Sequence, residues 1–79
     1  MEVTLQYRSL MGHNGELKCM DNITIKQLRK LIEEKTGVVQ FIQLLMHKGE
    51  EVLNDDFTMK DYKMDGDDFI NISLKLRGD

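Results

Sequence analysis

The sequence predicts an α+β roll in which a mixed sheet of four or five strands is covered on one face by a single helix. Three observations carry this expectation. Both ends of the chain alternate apolar and polar residues with the period of a half-buried strand. One segment between them has a complete amphipathic-helix signature with start and stop signals. The remaining segments are short and separated by turn residues, giving the order strand, strand, helix, strand, short strand, strand. A single helix and half-alternating strands imply a sheet with one covered face and one wet face.

The first strand places Met1, Val3, Leu5 and Tyr7 on one side and Glu2, Thr4, Gln6 and Arg8 on the other. Gly12, Asn14 and Gly15 supply turn chemistry, with Asn14-Gly15 the strongest short hairpin signal. A second strand follows, with Leu17 and Cys19 inward. Thr24 and Gln27 then form a capping box, and Ile23 and Leu28 are spaced for a hydrophobic staple. Ile25, Leu28, Leu31 and Ile32 make the apolar stripe, while Lys26, Arg29, Lys30, Glu33 and Glu34 fall on the wet side. Gly37 stands where a left-handed C-cap is wanted, so the helix is expected from Ile25 to Lys35. Gln43 to His47 reads as the third strand, Lys48-Gly49-Glu50 as a turn, and Val52-Leu53 as the start of a fourth strand. Asn54 to Tyr62 is polar and irregular, anchored by Phe57 and Met59. After a turn at Asp65-Gly66-Asp67-Asp68, the last strand points Ile70, Ile72, Leu74 and Leu76 inward and Asn71, Ser73, Lys75 and Arg77 outward.

The 79 residues hold one modest core, and no linker or repeat divides them, so one domain over residues 1–79 is expected. Cys19 is the only cysteine, and His13 and His47 have no zinc-type spacing with it, so neither a disulfide nor a structural metal is expected. A net charge of −3 is the wrong sign for a general nucleic-acid binder. No apolar run approaches the roughly 20 residues of a membrane span, and the acidic, alternating start is unlike a signal peptide. A monomer of the cytoplasm or nucleus that binds neither nucleic acid nor membrane is the resulting expectation.

The chain resembles ubiquitin and its relatives along its whole length. Met1-Glu2-Val3-Thr4-Leu5 is similar to the family's first strand, and the helix followed by Thr36-Gly37 to its helix and following glycine. Leu45-Met46-His47-Lys48-Gly49 resembles the third strand and its turn, and Met59-Lys60-Asp61-Tyr62-Lys63-Met64 the Leu-Ser-Asp-Tyr-Asn-Ile stretch. Leu74-Lys75-Leu76-Arg77-Gly78 resembles the family's Leu-Arg-Leu-Arg-Gly-Gly ending. The resemblance implies the β-grasp roll, protein partners (ubiquitin-type receptors or conjugation machinery) and no cofactor. It also implies two sites. One is the apolar patch on the wet sheet face, where the family's isoleucine, histidine and valine correspond to Met46, Asn71 and Ser73 and its loop leucine to Leu10, with Lys48 and Gly49 alongside. The other is the extended tail from about residue 75, formed with the preceding strand end by Leu74, Lys75, Leu76, Arg77, Gly78 and Asp79.

The departures shape the functional expectation. Conjugated members carry a Gly-Gly pair because the tail threads a narrow channel that admits no side chain. Here Asp79 follows Gly78, and a charged, branched residue fits such a channel badly. Asn71 and Ser73 make the patch more polar, and the lysine of the commonest ubiquitin chains falls at Glu50. A protein-interaction module recognised through the sheet face and tail is therefore expected. The alternative is a covalent modifier attached through Gly78 after processing.

No catalytic constellation is legible. His13 and His47 have no acid or nucleophile at meaningful spacing and are assigned to turns or surface. Cys19 on an inward strand position reads as a small buried hydrophobe. Counted from Asp61, position 12 of a calcium loop is Ile72 rather than glutamate, so the acids at 65, 67 and 68 read as a solvated turn. Arg77-Gly78-Asp79 spells an integrin-type tripeptide without an export signal and reads as coincidence. Of the six methionines, Met59 and Met64 are assigned to the core and Met46 to the surface.

Overall fold

A computed structural model of the chain describes residues 1–10, 12, 14–64 and 68–75. Alternation produces the strands β1 (Glu2–Ser9), β2 (Asn14–Met20), β3 (Gln43–His47), β4 (Glu50–Glu51) and β5 (Phe69–Leu74), and the helix α1 spans Ile25–Thr36. A short 3-10 turn at Gln40–Ile42 leads into β3. The sheet order is β2-β1-β5-β3-β4. β1 and β5 run parallel at its centre while the remaining pairs are antiparallel. This is the mixed five-stranded β-grasp expected from the element order.

The helix is defined at both ends by its own sequence. Thr24 Oγ1 accepts from the Gln27 N–H at 3.2 Å, and Gln27 Oε1 accepts from the Thr24 N–H at 2.9 Å. At the other end Gly37, at φ +81°, donates its N–H to Glu33 O, a conformation that costs glycine nothing. Ile25, Leu28 and Ile32 are completely buried against Leu5, Leu17, Leu45, Ile70 and Ile72 from the sheet. Val52, Met59 and Met64 close the core from the loops. Met59 and Met64 thus fill the interior as expected.

Four local expectations are corrected. Asn14-Gly15 is not the hairpin turn: both residues lie in β2, where Asn14 faces Arg8 and Gly15 faces Tyr7. The reason is the Tyr7 ring, whose hydroxyl would lie 2.7 Å from a Cβ at position 15, so glycine is required there by a close approach and the reversal moves toward Gly12. The fourth strand is Glu50–Glu51, ahead of Val52-Leu53, because the Lys48-Gly49 turn (φ +52° and +83°) is a two-residue primed turn pairing His47 with Glu50. Phe57 is an exposed neighbour of the Tyr62 ring, at 5.6 Å between centroids, while Met59 alone of the two anchors is buried.

The fourth correction concerns Arg29, expected on the wet side of the helix but only 6 % exposed. Its Nε donates to Asp55 Oδ1 at 2.8 Å, Nη1 to Gln43 O at 2.9 Å and Nη2 to Val52 O at 3.0 Å. A planar fork with five donors suits two carbonyls and a carboxylate converging from different segments. Gln43 returns the contact, its Nε2 donating to Arg29 O and Val38 O. Helix, third strand and the loop after β4 are thereby tied together at one corner of the molecule.

Candidate functional site

The outer sheet face collects most of the residues singled out in the sequence. In β3 the alternation buries Gln43, Leu45 and His47 and turns Leu44 and Met46 outward. In β5 it buries Ile70 and Ile72 and turns Phe69, Asn71 and Ser73 outward. The antiparallel register then sets Met46 opposite Asn71 and Leu44 opposite Ser73. On the other flank of β5, Arg8 lies beside Asn71 and Gln6 beside Phe69. The Leu10 N–H donates to Ile72 O at 3.1 Å, which brings the loop leucine, 85 % exposed, to the margin of the same face. Lys48 and Gly49 form the exposed turn at one end of it. Met46, Asn71 and Ser73 therefore share the outer face, with Leu10 at its Ser73 end and the Lys48-Gly49 turn beyond its opposite end.

Two members of this face were not singled out in advance. Leu44, half-buried beside Met46, is legible from the strand period because it lies two residues earlier. Phe69 carries the Arg8 guanidinium over its ring at 4.2 Å from the centroid. That contact depends on the parallel pairing of β1 with β5, which no local signal announces.

His47 differs from its expected surface role. It is 6 % exposed, and its Nε2 lies 2.8 Å from Asp68 Oδ2, with Lys48 Nζ 3.8 Å from the other carboxylate oxygen. The acid lies 21 residues away in sequence and is delivered by the loop leading into β5. Cys19 is buried, its Sγ 3.5 Å from Met59 Sδ. Burial, reinforced by the charges of Asp21 and Glu2, pushes the thiol pKa up from its ordinary 9.0. A thiol held neutral in this way is a poor nucleophile.

Of the tail-site residues, Leu74 is the last residue of β5, paired with Gln43, in keeping with a tail that starts at about residue 75. Lys75 follows it, donating its N–H to Ile42 O at 2.7 Å. Leu76, Arg77, Gly78 and Asp79 lie outside the described residues, as do His13 and three residues of the acidic turn, Asp65, Gly66 and Asp67. Among the described residues no three His, Cys, Asp or Glu side chains are grouped for a metal ion, and no helix is long and apolar enough to cross a membrane.

The sequence model of the ubiquitin family matches residues 8–77. Ubiquitin-like protein 1 of Schizosaccharomyces pombe is 27 % identical over 74 residues, covering 94 % of each chain. Ubiquitin-like modifier HUB1 of Kluyveromyces lactis is 26 % identical over 54 residues, 68 % of this chain and 73 % of that one. Among solved structures, the ubiquitin-like domain of Plasmodium falciparum Dsk2 superposes with a TM-score of 0.86 at 18 % identity, covering 94 % of this chain and 99 % of that one. The last likeness concerns the fold alone.

Proposed function

Since this chain belongs to the ubiquitin family, we propose that it acts as a non-covalent protein-interaction module, recognised through the outer sheet face and the segment beyond β5. The observation that carries this reading is the pair Leu44 and Met46, set beside Asn71 and Ser73 on a sheet face opposite the helix. Apolar side chains framed by small polar ones are the composition of an interaction surface, where a few anchors dominate the binding energy. Partners are proteins of the ubiquitin-receptor type, selected by a face more polar than that of ubiquitin. Catalysis has no part in this reading.

A covalent modifier attached through Gly78 is the second reading. It is favoured by the Leu74-Lys75-Leu76-Arg77-Gly78 sequence and by the relative that carries the name of a modifier. Asp79 counts against it, since the residue after Gly78 must be removed before that glycine becomes a reactive terminus.

A photo-crosslinking residue placed at Asn71, and in parallel at Glu34 on the exposed side of the helix, tests the first reading in cells. Discrete protein adducts from position 71, absent from 34 and abolished by Met46→Asp, are the expected result. Equal adducts from both positions, or none from 71, contradict it.

A further inference from the structure

A second concave surface lies away from the outer sheet face. It is a groove of about 340 Å³ lined by Lys26, Arg29, Gln40, Phe41, Leu53, Asp55 and Lys75. Phe41 is 82 % and Leu53 65 % exposed. Single exposed apolar residues are ordinary on a protein surface. Here two large ones come from separate segments, the 3-10 turn and the stretch after β4, and border one concavity. Neither belongs to the core cluster.

The charge of the groove is opposite to that of the chain. Its lining holds three cations, Lys26, Arg29 and Lys75, against one acid, Asp55, in a chain of net charge −3. Asp55 is engaged by Arg29 at 2.8 Å. Lys75 has only Glu51 at 4.0 Å, and Lys26 is exposed with no acid in ion-pair range among the described residues. The volume matches the lower end of sites that hold a side chain or small ligand.

We propose that this groove docks an acidic peptide segment of a partner protein, seating one large apolar side chain between Phe41 and Leu53 while flanking carboxylates meet Lys26 and Lys75. The apolar anchor supplies affinity and the carboxylates supply orientation and encounter rate. The groove shares Lys75, the first residue beyond β5, with the surface proposed above, but it uses none of Leu44, Met46, Asn71 and Ser73 and does not rest on the sheet-face reading.

The test is a chemical-shift titration of the uniformly ¹⁵N-labelled 79-residue chain. The probe is an acetylated, amidated nonapeptide with a central tryptophan between two runs of four glutamates. Saturable sub-millimolar shifts at the amides of Lys26, Phe41, Leu53 and Lys75 are expected. The double variant Phe41→Ala/Leu53→Ala and the single variant Lys26→Glu should each weaken binding at least tenfold. Because these side chains are exposed, the urea midpoints should stay at the wild-type value, separating loss of binding from loss of fold. Absence of shifts at millimolar peptide overturns the proposal, as does equal binding of a peptide with lysine in place of glutamate. Shifts centred on Met46 and Asn71 overturn it too. So do concentration-dependent shifts of the same groove amides without peptide, which would make a second copy of the chain the occupant.

Discussion

Replacing Arg29 with alanine removes the donors from which Gln43 O and Val52 O accept, and it leaves Asp55 without its cation. Stranded buried carbonyls account for most of a cost of about 2–4 kcal/mol, since Asp55 is half-exposed and its lost ion pair is screened by solvent. A fall in the urea midpoint of that size is expected for Arg29→Ala, against no more than about 0.5 kcal/mol for exposed Lys30→Ala. The helical period itself sets Arg29 on the buried side, four residues after Ile25 and three before Ile32, and its charge alone suggested the wet side. Its partners were illegible because the covering groups, Gln43 O, Val52 O and Asp55, arrive from 14 to 26 residues away. Cys19 was legible, since an inward position in an alternating strand buries whatever stands there. With its pKa raised by burial, Cys19 stabilises the fold below pH 9.0, where the unfolded thiol is also neutral. That contribution is lost as the pH rises through the higher folded value, because the unfolded chain releases its proton first. Accordingly, alkylation of the native protein by iodoacetamide at pH 8 should be slower than in urea, and Cys19→Ser should flatten the alkaline loss of stability. Equal alkylation rates in the two states would contradict this burial.

Among the elements, those whose signals are local were read most faithfully. The helix ran one residue past its expected end, and its capping box and left-handed glycine stand where the spacing put them. Thr24→Ala is expected to cost about 1 kcal/mol, measured by denaturation, because two helix N-terminal donors lose their arrangement together. β3 coincides with its expected bounds, and β5 has the expected alternation through Ser73. Elements set by pairing were read less well. Asn14-Gly15 has the composition of a turn, but glycine there answers to the Tyr7 ring across the hairpin. Gly15→Ala should therefore destabilise by about 1–3 kcal/mol as overpacking, and Tyr7→Ala should relieve part of that cost in a double-mutant cycle. Strict additivity of the two changes would show that the Tyr7 ring does not constrain position 15. β4 was displaced by two residues because a two-residue segment carries too few positions for alternation to register.

At the scale of the whole molecule, strand order and the family resemblance together led to the mixed β-grasp sheet, and residues 8–77 match the ubiquitin family. The outer face was half legible. Period two places Met46, Asn71 and Ser73 on one side, but the contributions of Arg8 and Phe69 require the parallel β1–β5 pairing to be known. The groove between Phe41 and Leu53 left no sequence signal, since its lining comes from four separated segments. Met46→Ala should leave the folding midpoint within about 0.5 kcal/mol, because the side chain lies half-exposed on the sheet, while lowering capture of partners. The most direct test of a non-covalent module is mass spectrometry of the chain recovered from its own cells with the ubiquitin-type activating machinery present. For a non-covalent module, Gly78 is expected only in unbranched polypeptide, still followed by Asp79. Gly78 joined through an isopeptide bond to a lysine of another protein would contradict it and establish the chain as a covalent modifier.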